Sequence, residues 1–159
     1  AGNSRVAILD VDFHHGNGTQ DIFAARGDVL FVAIHGRPED AFPYFSGYAD
    51  EIGHGPGEGT TLNLPLPPGT GWAVWSEALG IAIKRIEAFG PEMLVVSLGV
   101  DTFVHDPLGF FTLTSDDFNR IGHAIAGLAR PTLFVMEGGY AVEEVGVNTV
   151  NVLAGFADR

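Results

Sequence analysis

Four short runs of apolar, often β-branched residues divide the chain, and polar residues, glycine or proline bound each of them. They lie at positions 5–10, 29–35, 93–99 and 132–136. Continuous apolar runs of this length are typical of strands that are buried on both faces of a sheet. A fifth run, at 60–66, follows a glycine-rich stretch and is also expected to form a strand.

Two longer stretches between the later runs, 72–89 and 115–129, have a helical pattern. The first is followed by Gly90 and Pro91, which are common after the end of a helix. The second begins with Thr114 or Ser115 ahead of two acidic residues, which is a capping pattern. Strands that alternate with helices predict an α/β fold around a mostly parallel sheet.

The segment 37–68 is rich in glycine and proline and carries four aromatic residues, Phe42, Tyr44, Phe45 and Tyr48. We expect a long ordered loop system here, because loops of this length in compact domains are often functional. The glycines at 53–59 resemble a phosphate-binding loop. However, that motif should follow a strand and begin a helix, so no nucleotide site is predicted.

Composition narrows the possible site chemistry and partners. The chain has 159 residues and 46% hydrophobic residues, which predicts one domain over residues 1–159. There is no cysteine, so any bound metal must be held by His, Asp or Glu. The net charge of −12 disfavours nucleic acid as a partner and is compatible with a cationic substrate.

The apolar runs are far shorter than the roughly 20 residues that span a bilayer, and no signal peptide is recognisable. No membrane association is therefore expected, and a cytoplasmic location is predicted.

Acidic, histidine and tyrosine residues follow three of the predicted strands. Because parallel strands place their carboxyl ends at one edge of the sheet, these side chains should meet there. Together they suit metal-assisted hydrolysis, with an open one-histidine, two-carboxylate zinc site and a hydroxyl that stabilises the oxyanion. The segments are DVDFHHGNGTQ from Asp10, GVDTFVHDPLGFFTLT from Gly99 and MEGGY from Met136.

In this order, the three segments resemble the signatures of the histone deacetylase and acetylpolyamine amidohydrolase family, and they are most similar to the second branch. The resemblance implies a three-layer αβα arrangement with a truncated arginase/deacetylase-like fold, in which the chain forms the C-terminal half of a catalytic domain. It implies a zinc-dependent amidohydrolase (deacetylase) that acts on acetylated amines, such as acetylpolyamines or acetyllysine.

The resemblance also assigns metal sites. It makes Asp12, His14 and Asp106 the ligands of one zinc ion per chain. It places a potassium site near the zinc, where Asp10 joins Asp12 and His14. Ala33 replaces the serine of that potassium site, so one oxygen ligand is lost, and the sequence leaves open whether potassium binds.

Catalytic and channel residues follow from the same resemblance. Tyr140 polarises the acetyl carbonyl, while Asp10 and Asn17 orient two catalytic histidines. The substrate channel is predicted to include Phe45, Gly138 and Gly139. His15 is expected to point away from His14 and to be structural.

The paired histidines that supply the general base in this family lie well upstream of the metal motif, and the adjacent pair in this chain, His14 and His15, belongs to that motif. The sequence therefore predicts little or no activity for the isolated chain. It also predicts exposed strand edge, covered by self-association or by a separate N-terminal half.

Two alternatives remain open. One is a non-catalytic metal-binding or ligand-binding remnant of the deacetylase fold. The other is a binuclear manganese ureohydrolase, which is disfavoured because Asp101 and Asp106 lie five residues apart rather than two.

Overall fold

The computed structural model of the protein describes residues 4–158, which form five strands and four α-helices. In chain order the elements are β1 (Val6–Asp10), α1 (Asn17–Phe23), β2 (Val29–Gly36), β3 (Thr61–Leu66), α2 (Trp72–Phe89), β4 (Met93–Leu98), α3 (Ser115–Ala126), β5 (Thr132–Met136) and α4 (Val145–Ala157). All five predicted strands and both predicted helices are present, whereas α1 and α4 were not predicted. None of these helices is both long and apolar enough to cross a bilayer.

The five strands form one parallel sheet in the order β3-β2-β1-β4-β5. This confirms the predicted α/β fold class. The chain moves outward from β1 first to β2 and β3 and later to β4 and β5, so the strand order reverses at β1. Ligand sites of open parallel sheets lie at the carboxyl ends of the strands beside such a reversal.

The helices divide between the two faces of the sheet. On one face, Leu9, Val32 and Val96 are fully buried beneath α2 and α3. On the other face, which we call the α1 face, Ile8 and Phe31 pack with Phe23 of α1. The sheet therefore lies between two helical layers, although the α1 face is covered only in part.

Local sequence signals explain where α2 ends and where α3 begins. Gly90 follows α2 in the left-handed conformation, with φ of 63°, and its N–H donates to the carbonyls of Ile86 and Glu87. At the start of α3, the carboxylate of Asp117 accepts hydrogen bonds from the backbone N–H and the hydroxyl of Thr114, both at 2.8 Å. Thr114, rather than Ser115, is therefore the N-cap residue.

The loop system between β2 and β3 is ordered by one carboxylate. The side chain of Glu51 accepts hydrogen bonds from the N–H of Gly47 at 2.9 Å and from the amide of Gln20 at 2.6 Å. Gln20 lies on α1, so the loop is tied to the helix that follows the first strand. This confirms the predicted ordered loop, and it places the aromatic residues of the loop beside the carboxyl ends of the strands.

Candidate active site

A cavity of about 860 Å³ opens at the carboxyl ends of β1, β4 and β5. The three segments identified in the sequence all contribute to it, because each follows one of these strands. The lining residues are Asp10, Asp12, Phe13, His14, His15, Gly16, Thr19, Phe42, Tyr44, Ser97, Pro107, Leu108, Phe110, Met136, Glu137, Gly138, Gly139 and Tyr140.

Asp12, His14 and Asp101 bring potential metal-ligating atoms within 4.8 Å of one another. The Nδ1 atom of His14 lies 2.9 Å from Oδ2 of Asp101 and 3.4 Å from Oδ1 of Asp12. One imidazole and two carboxylates are a donor set that zinc accepts in catalytic sites, and Asp12 and His14 also line the cavity.

Backbone donors hold the two carboxylates in position. The N–H of Gly138 donates to Oδ2 of Asp12 at 2.8 Å, and the N–H of Phe13 donates to Oδ1 of Asp101 at 2.8 Å. A Cβ atom at Gly138 would lie only 2.6 Å from Oδ2 of Asp12 and 2.7 Å from Oδ2 of Asp101. Glycine is therefore required where the chain crosses over the carboxylates.

The electrostatics of the cluster favour a bound cation. The hydrogen bond to Asp101, reinforced by Asp12, raises the pKa of His14 to about 9. Burial raises the pKa of Asp101 to about 6. A proton on His14 partly balances the two carboxylates, and a metal ion at Nδ1 must displace this proton. Metal affinity should therefore rise with pH.

Asp106 is not part of this cluster, and its role as the third zinc ligand stays a prediction. The two carboxylate oxygens of Asp106 accept backbone hydrogen bonds instead. Its Oδ1 accepts from Leu108 and Gly109 at 2.9 and 3.1 Å, while Oδ2 accepts from Tyr140 and Ala141 at 2.8 and 3.2 Å. Asp106 therefore joins its own loop to the loop that carries Tyr140.

Tyr140 lies in the cavity beside the cluster. Its ring centroid is 6.4 Å from that of His14, and the side chain is 44% exposed. Partial burial and the nearby charge of Asp101 raise the pKa of its phenol. The hydroxyl thus stays protonated at neutral pH and can donate a hydrogen bond. Gly139, with φ of 155°, provides the turn that precedes it.

Asp10 lies in the same cavity and is almost fully buried. Burial and the charge of Asp12 raise its pKa well above the usual range, and its Oδ1 accepts the N–H of Asp12 at 3.1 Å. Ala33 pairs with Asp10 in the sheet and offers no side-chain oxygen. Asn17 begins α1 and is not among the lining residues. The orienting roles of Asp10 and Asn17, and the potassium site, stay predictions.

The aromatic wall of the cavity differs from the prediction. Phe45 is 70% exposed and does not line the cavity, whereas Phe42 and Tyr44 do. The ring of Phe42 lies 6.4 Å from that of His14 and 6.2 Å from that of Tyr44. Gly138 and Gly139 line the cavity, whereas the channel role of Phe45 stays a prediction.

The second histidine of the metal motif contacts Gln20 and His35 rather than the metal cluster. His15 is buried, its Nε2 is 3.1 Å from Oε1 of Gln20, and its ring packs against His35 with centroids 4.6 Å apart. The expected structural role of His15 agrees with these contacts. Among the described residues, His14 and His15 are the histidines that line the cavity. His14 contacts Asp101 in the metal cluster and His15 contacts Gln20, so neither is free to act as a base beside the cluster.

Comparison with known proteins identifies the family. A model described as the histone deacetylase domain matches residues 1–156. The chain belongs to the histone deacetylase domain family. Acetylpolyamine amidohydrolase 2 of Pseudomonas aeruginosa is 61% identical over 155 residues, and the acetylpolyamine amidohydrolase of Mycoplana ramosa is 60% identical over 156 residues. These alignments cover 98% of this chain but only 45% and 46% of the relatives.

Solved structures of the family have the same architecture. The acetylpolyamine aminohydrolase of Burkholderia pseudomallei superposes with a TM-score of 0.95 at 44% identity, over 98% of this chain and 45% of that structure. A histone deacetylase homologue from Aquifex aeolicus gives a TM-score of 0.89 at 31% identity, over 97% of this chain and 42% of that structure. The chain thus spans about half the length of the histone deacetylase domain proteins that it matches.

Proposed function

We propose that this chain carries the metal-binding part of a zinc-dependent deacetylase that hydrolyses acetylated amines, either acetylpolyamines or acetyllysine. The observation that carries the proposal is the cluster of Asp12, His14 and Asp101, of which Asp12 and His14 line a cavity that also holds Tyr140. The relatives at 60% and 61% identity are named as acetylpolyamine amidohydrolases, which favours the polyamine branch.

The residues of the cluster fit zinc, and the residues around it would have separate roles in catalysis. When bound, zinc would supply a Lewis acid for the acetyl carbonyl and make a water molecule more acidic. Tyr140 donates a hydrogen bond to the same carbonyl oxygen as negative charge develops there, which stabilises the transition state. Asp106 positions Tyr140 through the backbone N–H bond described above.

The wall of the cavity favours an acyl chain followed by an amine. Phe42, Leu108 and Phe110 supply apolar surface along the cavity and exclude water from the carbonyl. The net charge of −12 attracts cationic amines, which include polyamines, towards the protein.

The general base of this reaction comes from polypeptide outside the described residues. Asp10 would then hold a hydrogen-bond donor of that base, because its buried carboxyl group faces the cavity and accepts one hydrogen bond from residues 4–158, the N–H of Asp12. Asn17 is proposed to orient a second histidine in the same way. Potassium binding is proposed only as a weak interaction, because Ala33 supplies no ligand.

A chimaera tests the proposed reaction. The 155 matched residues of the Pseudomonas aeruginosa relative are replaced by this chain, and hydrolysis of acetylputrescine and of an acetyllysine peptide is measured with and without zinc. Zinc-dependent hydrolysis is expected, and Tyr140→Phe should lower kcat by about 100-fold or more because an oxyanion donor is lost. Tyr48→Phe, which changes a tyrosine outside the cavity, is the matched control.

Two results would contradict the proposal. A folded chimaera that binds zinc without hydrolysing either substrate would favour the non-catalytic remnant. Equal losses in the Tyr140 and Tyr48 variants would remove Tyr140 from the reaction.

A further inference from the structure

A largely buried polar network joins the loop between β2 and β3 to the segment that carries the metal cluster. It runs from Glu51 in the loop through Gln20 on α1 to His15. The carboxylate of Glu51 accepts a hydrogen bond from the side-chain amide of Gln20 at 2.6 Å, and Oε1 of Gln20 lies 3.1 Å from Nε2 of His15. Because His15 directly follows His14 of the metal cluster, the network ends beside a potential metal ligand.

Glu51 determines which way the side-chain amide of Gln20 points. Partial burial would raise the pKa of Glu51, but hydrogen bonds from Gln20 and Gly47 lower it, so this carboxylate is ionised at neutral pH. An ionised carboxylate can only accept hydrogen bonds. The amide nitrogen of Gln20 must therefore face Glu51, which turns the amide oxygen towards His15. Asn63 of β3 supports this orientation, because its amide donates to the same oxygen at 2.8 Å.

The orientation of this amide fixes the tautomer of His15. Because Gln20 presents an oxygen, Nε2 of His15 must carry a hydrogen and donate it. The other ring nitrogen, Nδ1, is buried and has no hydrogen-bond partner within residues 4–158. A hydrogen on Nδ1 would be a buried donor without an acceptor, which is unfavourable. His15 is therefore neutral, with its hydrogen on Nε2.

The backbone of the loop lies directly against the same histidine. Gly47 has φ of 103°, and a Cβ atom there would lie only 2.8 Å from Cγ of His15. The N–H of Gly47 donates to Glu51 at 2.9 Å, so the network maintains this close approach. The same loop carries Phe42 and Tyr44, which line the cavity. Glu51 thus connects the aromatic wall of the cavity to the metal segment.

We infer that Glu51 is a positioning residue for the candidate active site, although it does not line the cavity. Through Gln20 it keeps His15 in one tautomer next to the metal-cluster residue His14. Through Gly47 it keeps the loop, and with it the aromatic wall, against the same segment. Groups that orient metal ligands from outside the coordination sphere commonly tune metal affinity. The effect on catalysis rests on the proposed function, whereas the effect on His15 does not.

The tautomer of His15 tests the inference in the isolated chain, without metal or substrate. Nitrogen chemical shifts of the labelled imidazole ring, measured by NMR at neutral pH, distinguish the two tautomers. Wild-type His15 should carry its hydrogen on Nε2 alone. In Glu51→Gln the new amide can donate as well as accept, so the amide of Gln20 can turn over. Both tautomers of His15 should then be populated.

Asp50→Asn is the matched control for this experiment. It removes the same charge from the neighbouring, exposed residue of the loop and should leave the tautomer of His15 unchanged. Circular dichroism verifies that both variants are folded. A wild-type His15 that carries a hydrogen on Nδ1 would overturn the inference without any variant. A single Nε2–H tautomer in Glu51→Gln would overturn it as well.

The zinc affinity of the isolated chain measures whether the network positions the metal cluster. Competition with a zinc chelator should show about tenfold weaker binding in Glu51→Gln, the lower end of what such positioning groups contribute, and no change in Asp50→Asn. A role in stability alone would lower the urea midpoint of Glu51→Gln while the folded variant kept the zinc affinity of the wild type. That result would contradict the positioning role.

Kinetics of the chimaera separate this inference from the proposed function. At saturating zinc, Glu51→Gln should raise KM for acetylputrescine more than it lowers kcat, because the aromatic wall is displaced while Tyr140 is kept. A wild-type chimaera that hydrolyses neither substrate would contradict the proposed function, and the tautomer and zinc affinity would still decide the inference. A lower kcat with an unchanged KM would show that Glu51 does not position the aromatic wall.

Discussion

Asp101 and Asp106 lie five residues apart in one loop, yet their carboxylates make different contacts. Asp101 contacts His14 in the metal cluster, whereas Asp106 accepts four backbone hydrogen bonds. We therefore predict that Asp101→Ala lowers zinc affinity by about 100-fold or more, because a ligand is lost. Asp106→Ala should displace Tyr140 and lower the activity of the chimaera, and its zinc content tests the predicted ligand role of Asp106. Zinc per chain after dialysis, measured by mass spectrometry, compares the two variants. Equal zinc loss in both would confirm Asp106 as a ligand, whereas zinc retained in Asp106→Ala would contradict that role.

The sequence could predict which strand ends carry part of this cavity. Asp12 and His14 directly follow β1, and Tyr140 closely follows β5, so their positions depend on strand ends that the apolar pattern defines. The loop after β4 carries two carboxylates, Asp101 and Asp106, that both match a ligand by residue type. Asp101 is three residues beyond the end of β4 and Asp106 eight, and the folded loop brings Asp101 against His14.

The aromatic wall could not be predicted in the same way. Phe42, Tyr44 and Phe45 lie in a loop without periodicity, and only the folded loop shows which rings enter the cavity. The buried contact between His15 and His35 likewise joins the loop after β1 to strand β2, and the sequence does not show that these two parts are neighbours.

His35 should make stability depend on pH. Burial lowers its pKa to about 4, whereas an unfolded histidine titrates near 6.5. Between these values the unfolded state binds a proton that the native state rejects, so the free energy of unfolding falls as the pH falls from about 6.5 to about 4. The loss is on the order of 3 kcal/mol. Urea unfolding of the wild type and of His35→Gln should show a shallower pH dependence in the variant. His54→Gln, at an exposed histidine, should behave like the wild type.

At the scale of elements, the clearest sequence patterns predicted elements that the structure contains, and the elements with weak patterns were not predicted. The predicted strands and α2 agree with the structure because their apolar patterns and end signals coincide. Helix α4 was missed because its sequence, VGVNTVNVLAGFA, is rich in β-branched residues and glycine, which disfavour helices. Tertiary packing overrides this preference. A Cβ at Gly155 would meet the carbonyl oxygen of Asn119 at 2.1 Å, so α4 lies directly against α3.

The start of α3 offers a test of local stability. Asp117 is buried, and its carboxylate accepts hydrogen bonds from Thr114 and from Arg120 at 3.0 Å. Asp117→Ala should lower the free energy of unfolding by about 1–2 kcal/mol, because the cap and its charge-assisted bonds are lost. Asp116→Ala, an exposed residue of the same turn, should change it by less than about 0.5 kcal/mol. Similar losses in both variants, measured by urea unfolding, would show that the capping bonds contribute little.

At the scale of the whole molecule, the chain combines a well-ordered metal cluster with an incompletely covered sheet. The cluster depends on β1 and β4, which are paired on both sides, whereas β5 has an open edge beside the cavity. Metal binding should therefore survive in the isolated chain. Substrate binding and proton transfer depend on groups across the open side, so they should not.

The last prediction is that the isolated chain has little or no deacetylase activity. Bound zinc would supply carbonyl polarisation, and Tyr140 would supply an oxyanion donor worth about 100-fold or more in rate. A positioned general base contributes roughly another 100-fold to 10,000-fold, and the cavity histidines of this chain are committed to the metal and to Gln20. Loss of substrate positioning on the open side of the cavity lowers the rate further.

Zinc-loaded chain, assayed on acetylputrescine and an acetyllysine peptide, should therefore be nearly inactive, and the chimaera described above should be at least 100-fold more active, the lower end of what a base supplies. Tyr140→Phe in the chimaera should remove most of this gain. Turnover by the isolated chain at the rate of the chimaera would show that the base lies within residues 1–159, with His15 as the first residue to test by substitution.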